Sequence, residues 1–179
     1  IKDINKQNYK IIENNLVLDI AKDNIFIKGL KKILFSSLEW EIFLTKLRKE
    51  ICEIVYKKNY EKCKYLLELC CAMGEQCFIN EYLYNFEEIE MDMVNSIIKD
   101  CNKGEIKNIQ IAILSCYLPL HNLVKIIQSL NSYNIENESI NDLIKLQKTE
   151  PMEEKKISLN ITKIGKIEND ASKKVKDQY

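Results

Sequence analysis

The side chains of this 179-residue chain that could carry chemistry are seven Cys, a single His and one polar cluster that follows an apolar stretch. Cys63, Cys70 and Cys77 recur every seven residues within one predicted helix, which sets them on one stripe but about 10.5 Å apart along the axis. Zinc holds sulfur at ~2.3 Å and a disulfide needs Cα atoms within ~7 Å, so these three cannot serve one another. No Cys-x-x-Cys is present, and the only imidazole is His121. The stripe is therefore expected in the core, as reduced thiols packing like small apolar groups rather than as structural zinc ligands. His121 follows Pro119 and Leu120 at a helix break. A general base needs a nucleophile or carboxylate tied to it, and no motif supplies one, so His121 reads as a packing or capping residue.

The polar cluster is Gln76-Cys77-Phe78-Ile79-Asn80-Glu81-Tyr82. It places Asn80, Glu81 and Tyr82 where polar groups are partly buried and must find hydrogen-bond partners. A helix-end network that fixes how two helices meet is one reading of it, and an interaction motif is the other. The run Glu87, Glu88, Glu90 and Asp92 matches the first turns of a helix, where negative charge meets the positive dipole end. There is no Gly-x-Gly-x-x-Gly, no Walker-type loop and no Asp-rich metal loop, and four scattered Gly cannot cradle a phosphate. No catalytic, cofactor-binding or metal residue is predicted.

Helices must position these groups. Four Gly and two Pro leave too few turn formers for a sheet-rich fold, which needs a turn every 8–12 residues or so. The spacing of apolar positions predicts an all-α fold, an irregular bundle of about six to eight helices over residues 1–150, followed by a polar linker over 151–179. The first helix is expected from about Lys6 to Ile20. Asp23 or Asn24 caps a second through Phe26, Leu30, Ile33 and Leu34. Ser36 with Glu39 forms a capping box for a third, and a helix of about twenty residues is expected from Asn59, with Gly74 where a neighbour approaches closely. Asn85 and Glu88 repeat the box, Gly104 terminates that helix in the left-handed region, and further helices cover Glu105 to Tyr117 and Ser139 to Lys148. Trp40, Phe43, Leu47, Leu66, Leu69, Cys70, Phe78, Ile97, Ile109, Ile113 and Leu114 are the expected core.

Composition bounds the partners. With 27 basic and 27 acidic residues the formal charge is zero, which offers no general field for nucleic acid, and 26 of the 27 basic residues are Lys, the side chain less suited to bidentate recognition. No apolar run approaches the ~20 residues that span a membrane, and 46% hydrophobic residues can bury a core. A cytoplasmic protein is expected, with neither nucleic acid nor membrane as partner. The chain opens at Ile1 without Met and closes in a stretch rich in Lys, Asn, Asp and Glu, so a piece of a longer protein is expected.

A series of short motifs carries a resemblance. Leu44-Thr45-x-Leu47-Arg48, the Gln76 to Tyr82 run with Glu87 and Glu88 behind it, and Tyr117-Leu118-Pro119-Leu120-His121 are followed by Glu150-Pro151-x-Glu153-Glu154, Ile161-Thr162-x-Ile164 and Ser172-x-x-Val175-x-x-Gln178-Tyr179. In this order they resemble a helical region of bacterial multidomain proteins with tetratricopeptide repeats at the N-terminus and an S-adenosylmethionine-dependent methyltransferase domain at the C-terminus. Lys near position 176 and Ala171 depart from the pattern. The resemblance implies a non-catalytic connector that orients substrate or catalytic domain, with flanking domains and a protein substrate as partners. It places the S-adenosylmethionine site of the parent protein outside these residues. A free-standing helical interaction module unrelated to methylation is the alternative.

Overall fold

The computed structural model of the chain describes residues 14–62, 65–131, 133 and 137–161. Among the described residues all regular structure is helical: α1 Asn14–Ile20, α2 Asn24–Lys32, α3 Leu38–Tyr56, α4 Leu66–Ile79, α5 Glu88–Lys103, α6 Asn108–Leu114, α7 Leu120–Leu123, α8 Glu138–Ile144 and α9 Glu150–Asn160. A single π turn, Lys145–Thr149, joins α8 to α9. The result is the expected irregular all-α bundle. No helix of the described residues is long and apolar enough to cross a membrane.

Helix α4 is the axis of the bundle. It is buried from Leu69 to Cys77 on all sides, although it carries Glu75 and Gln76 there, and α2, α6 and α8 pack around it. Cys70, Cys71, Ala72, Met73 and Cys77 are fully buried there. A Cβ on Gly74 would stand 3.2 Å from Leu143 Cδ1 and 3.3 Å from Ser115 Cβ, and would collide with Ser115 Oγ. Gly at this position is what lets α6 and α8 approach α4 together. The second layer is α3 against α5 and α6, with Leu44, Leu47, Ile51, Val94 and Ile113 closed to solvent.

Several boundaries differ from those the sequence predicts. The cap of α3 is Ser37, one residue beyond Ser36, and its Oγ accepts from Trp40 N at 3.5 Å. Glu39 then falls one place short of the capping-box position. The helix expected from Asn59 is broken into a 3₁₀ turn, Asn59–Lys62, and α4. The chain reverses after α3 through Lys58 in the left-handed region, φ 59°, and that reversal consumes the residues a continuous helix would need. Helix α5 is capped at Glu87 rather than Asn85, because the Asn85 carbonyl is held by Arg48. Gly104 is extended, φ −152° and ψ −163°, so it does not terminate α5 in the left-handed region.

Trp40 is 39% exposed and Phe43 and Phe78 are half-buried, against their expected place in the core, whereas Leu47, Leu66, Leu69, Cys70, Ile97, Ile109, Ile113 and Leu114 are buried as expected. Helix α9 contributes no buried residue. Cys63, the start of the first predicted helix and the motifs beyond Ile161 lie outside the described residues.

Candidate functional site

The loop from Asn80 to Glu87, between α4 and α5, is held from below by two buried polar networks. The first centres on Arg48, the sole Arg among 27 basic residues and only 1% exposed. Its Nη1 donates to the Tyr84 carbonyl at 3.2 Å and its Nη2 to the Asn85 carbonyl at 2.6 Å and to Glu90 Oε1 at 3.3 Å. The planar fork suits this division among three acceptors, which an ammonium could not reproduce. The guanidinium also stacks on the Tyr117 ring at 4.5 Å. Glu90 Oε1 receives Tyr117 Oη at 2.7 Å while Oε2 receives the Glu87 backbone N–H at 2.9 Å, so one carboxylate ties α3, the turn after α6 and the start of α5 together. Burial pushes the Tyr117 phenol far up, and it stays a donor.

The second network centres on Gln147 in the π turn, which is fully buried. Its Nε2 donates to the Gly74 carbonyl at 2.7 Å and the Ser115 carbonyl at 3.3 Å. Tyr82 Oη lies 3.1 Å from both Gln147 Oε1 and the Ser115 carbonyl, and burial raises its phenol strongly, so the proton remains to be shared between them. His121 Nδ1 stands 3.2 Å from the Gln147 carbonyl. A carbonyl only accepts, so in this contact Nδ1 is the donor.

Asn80, Tyr82 and His121 are thus drawn into one structural unit: Asn80 Oδ1 accepts from Tyr82 N at 3.1 Å, and Tyr82 and His121 meet through Gln147. Glu81 is exposed and takes no part in it. Glu81 and Tyr82 both adopt left-handed backbone, φ 58° and 60°, a conformation that costs a non-Gly residue roughly 1–2 kcal/mol. The bond from Tyr82 N to the Cys77 carbonyl at 2.8 Å and the Oη contacts hold it there. The sequence reading missed Gln147 and Ser115; it placed Glu90 in the first turn of a helix, where it lies, but not in the buried network that leaves it 1% exposed. Gln76, singled out with the motif, is fully buried. Its amide, with nitrogen turned toward them, lies 2.8 Å from the Leu30 and Ile33 carbonyls at the end of α2.

Outward the braced loop presents two large apolar side chains, Leu83 at 73% and Phe86 at 55% exposure, among the exposed polar residues Glu81, Asn85 and Glu87. Leu83 also borders an open groove of about 410 Å³ in which Leu34, Phe35, Ile79 and Tyr84 alternate with Ser36, Glu41, Asn80 and Glu81. The described thiols are buried: burial pushes Cys52 and Cys71 up to about 12, and holds Cys77 and Cys116 well above the ordinary thiol value. Among the described residues no group of His, Cys, Asp or Glu is disposed to hold a metal ion. No protein-family model, no curated protein and no solved structure matches this chain.

Proposed function

We propose that this chain is a non-catalytic helical connector that docks a neighbouring domain through the Asn80–Glu87 loop. The observation that carries the reading is the bracing of that loop. Polar groups of Arg48 in α3, Glu90 in α5, Ser115 just after α6 and Gln147 in the π turn, with Asn80 of the loop itself, fix a strained backbone whose two large apolar side chains, Leu83 and Phe86, find no cover in the described residues. Energy spent on rigidity at a loop with exposed apolar side chains suits recognition, since a preorganised surface loses little entropy on binding. Arg48, Asn80, Tyr82, Tyr117 and His121, five of the residues in the motifs that carry the family resemblance, take part in this brace beside Glu90, Ser115 and Gln147. That supports the narrower proposal that the connector belongs to a tetratricopeptide-repeat, S-adenosylmethionine-dependent methyltransferase, oriented toward a catalytic domain in the same chain.

The test is calorimetric. The chain is titrated with the polypeptides encoded on either side of it, as wild type and as the Leu83→Ser, Phe86→Ser double variant. Saturable binding lost in the variant, with an unchanged melting curve, is the expected result. Binding of S-adenosylmethionine to this chain alone would overturn the non-catalytic assignment. A coding sequence that stops after Tyr179 would overturn the connector and leave the loop to a partner supplied in trans.

A further inference from the structure

A second surface, between α2 and the N-terminal part of α3 and independent of the connector reading, has the composition of a cation receptor. Phe26 of α2 and Trp40 and Phe43 of α3 line an open cavity of about 410 Å³ together with Ile20, Asp23 and Glu39. The three ring centroids stand 6.1, 6.1 and 5.8 Å apart, a nearly equilateral triangle. Phe26 and Trp40 are inclined by only 21°, and Phe43 meets them at 73° and 78°, so the walls face in two directions. A cation over the open face of any of these rings, within ~6 Å of its centroid, is attracted by the ring quadrupole, and all three rings border the one cavity.

Charge points the same way. The six lining residues include two carboxylates and no cation. Asp23 caps α2 through Oδ1, which accepts from Ile25 N at 2.9 Å and Phe26 N at 3.0 Å. Hydrogen bonds from its own backbone N–H and from Ser37 hold the Glu39 carboxyl below its ordinary value, so it is ionised at neutral pH. The adjacent Lys22 pairs with Asp19 at 2.9 Å. Trp40 adds a packing argument: it touches Phe26, Phe35 and Phe43 yet stays 39% exposed, and its open part lines this cavity. An aliphatic ligand would be served by the rings alone, whereas rings with carboxylates beside them favour a group that is apolar in surface and positive in charge.

We propose that this cavity binds a quaternary ammonium group. Its methyl shell fills the aromatic floor, and its charge is met by Asp23 and Glu39. Two sources present that group, a trimethylated lysine side chain on a protein and a free choline-type cation. Trp40 is the only Trp in the chain and lines the cavity, so its fluorescence is a direct reporter.

The experiment titrates the whole chain with tetramethylammonium, choline, 3,3-dimethylbutanol as the neutral isostere of choline, and a peptide carrying trimethyl-lysine beside its unmodified form. Expected is saturable quenching by the quaternary ions, with the neutral isostere at least about fivefold weaker. The Asp23→Asn, Glu39→Gln double variant keeps a capping side chain on α2, and it should lose the preference for choline over the isostere while melting like wild type. A trimethyl-lysine peptide bound more tightly than choline assigns the site to a protein partner, and the reverse order assigns it to the free cation. Equal binding of choline and its neutral isostere, an unchanged preference in the double variant, or no saturable quenching by any quaternary ion overturns the proposal.

Discussion

Replacing Arg48 by Met tests the brace directly. Arg48 gives three charge-assisted hydrogen bonds, to the carbonyls of Tyr84 and Asn85 and to Glu90. Taken singly such bonds are worth about 1.5–3 kcal/mol, but a sum overshoots because they share one side chain. Removing one partner of a buried pair costs about 3–5 kcal/mol, and the lower half of that range is expected here. Glu90 keeps the Tyr117 hydroxyl at 2.7 Å and the Glu87 N–H at 2.9 Å, and Met fills much of the vacated volume. Arg48→Lys should lose about half as much, since it retains charge but cannot span three acceptors. Urea melts give the magnitude. Hydrogen exchange at the Glu87 amide, bonded to Glu90 Oε2, reports the loop. The Arg48→Met, Glu90→Gln double variant should be less destabilised than the sum of the two singles, with a coupling above about 1 kcal/mol. An Arg48→Met variant within about 0.5 kcal/mol of wild type, with unchanged exchange at Glu87, would refute the brace.

Gly74→Ala should cost about 1–3 kcal/mol despite Ala's better helix propensity, because the new methyl meets Ser115 and Leu143, and most of that loss should vanish in a Ser115→Ala background, read by thermal melts of the cycle. The six described Cys are buried and their thiols raised, so native labelling by a disulfide reagent at pH 8 should be fast for no more than one of the seven, until urea unfolds the chain; rapid labelling of several would contradict the packing. The Glu75 carboxyl is raised by burial, partly offset by Lys31 at 3.0 Å. The native state then holds that proton more tightly than the unfolded chain, so this residue's contribution to stability should fall as pH rises from the ordinary value of 4.5 through the raised native one; Glu75→Gln should flatten that component in melts across the acid range.

The fold class was legible because apolar spacing is written along each helix. Ile97, Ile109, Ile113 and Leu114 sit where their periodicity puts them. Asp23 caps α2 as its position predicts, and the close approach at Gly74 could be read from a lone Gly in an apolar helix. Helix limits were less legible where tertiary bonds decide them: Asn85 offers a good capping side chain, but Arg48 from a distant helix takes its carbonyl and moves the start of α5 to Glu88. Half of the polar site was visible in the Asn80 to Tyr82 run. Its other half, Gln147, lies 65 residues beyond Tyr82 on a segment patterned as an ordinary helix. The composition did carry one unused signal. A single Arg among 26 Lys marks a place where planar, three-way donation is needed and a Lys will not do.

The π turn at Lys145–Thr149 gives the chain an unusual genetic lever. A π turn accommodates one residue more than an α-helix does for the same rotation, so the segments on either side keep their phase. Deleting one residue there would let α8 and α9 fuse into an uninterrupted α-helix with neither swung away from its neighbours. Only the presentation of Gln147 would be lost, and with it the tie from Tyr82 and His121 to Gly74. A one-codon deletion therefore separates the hub from the scaffold more cleanly than any side-chain substitution at the hub itself.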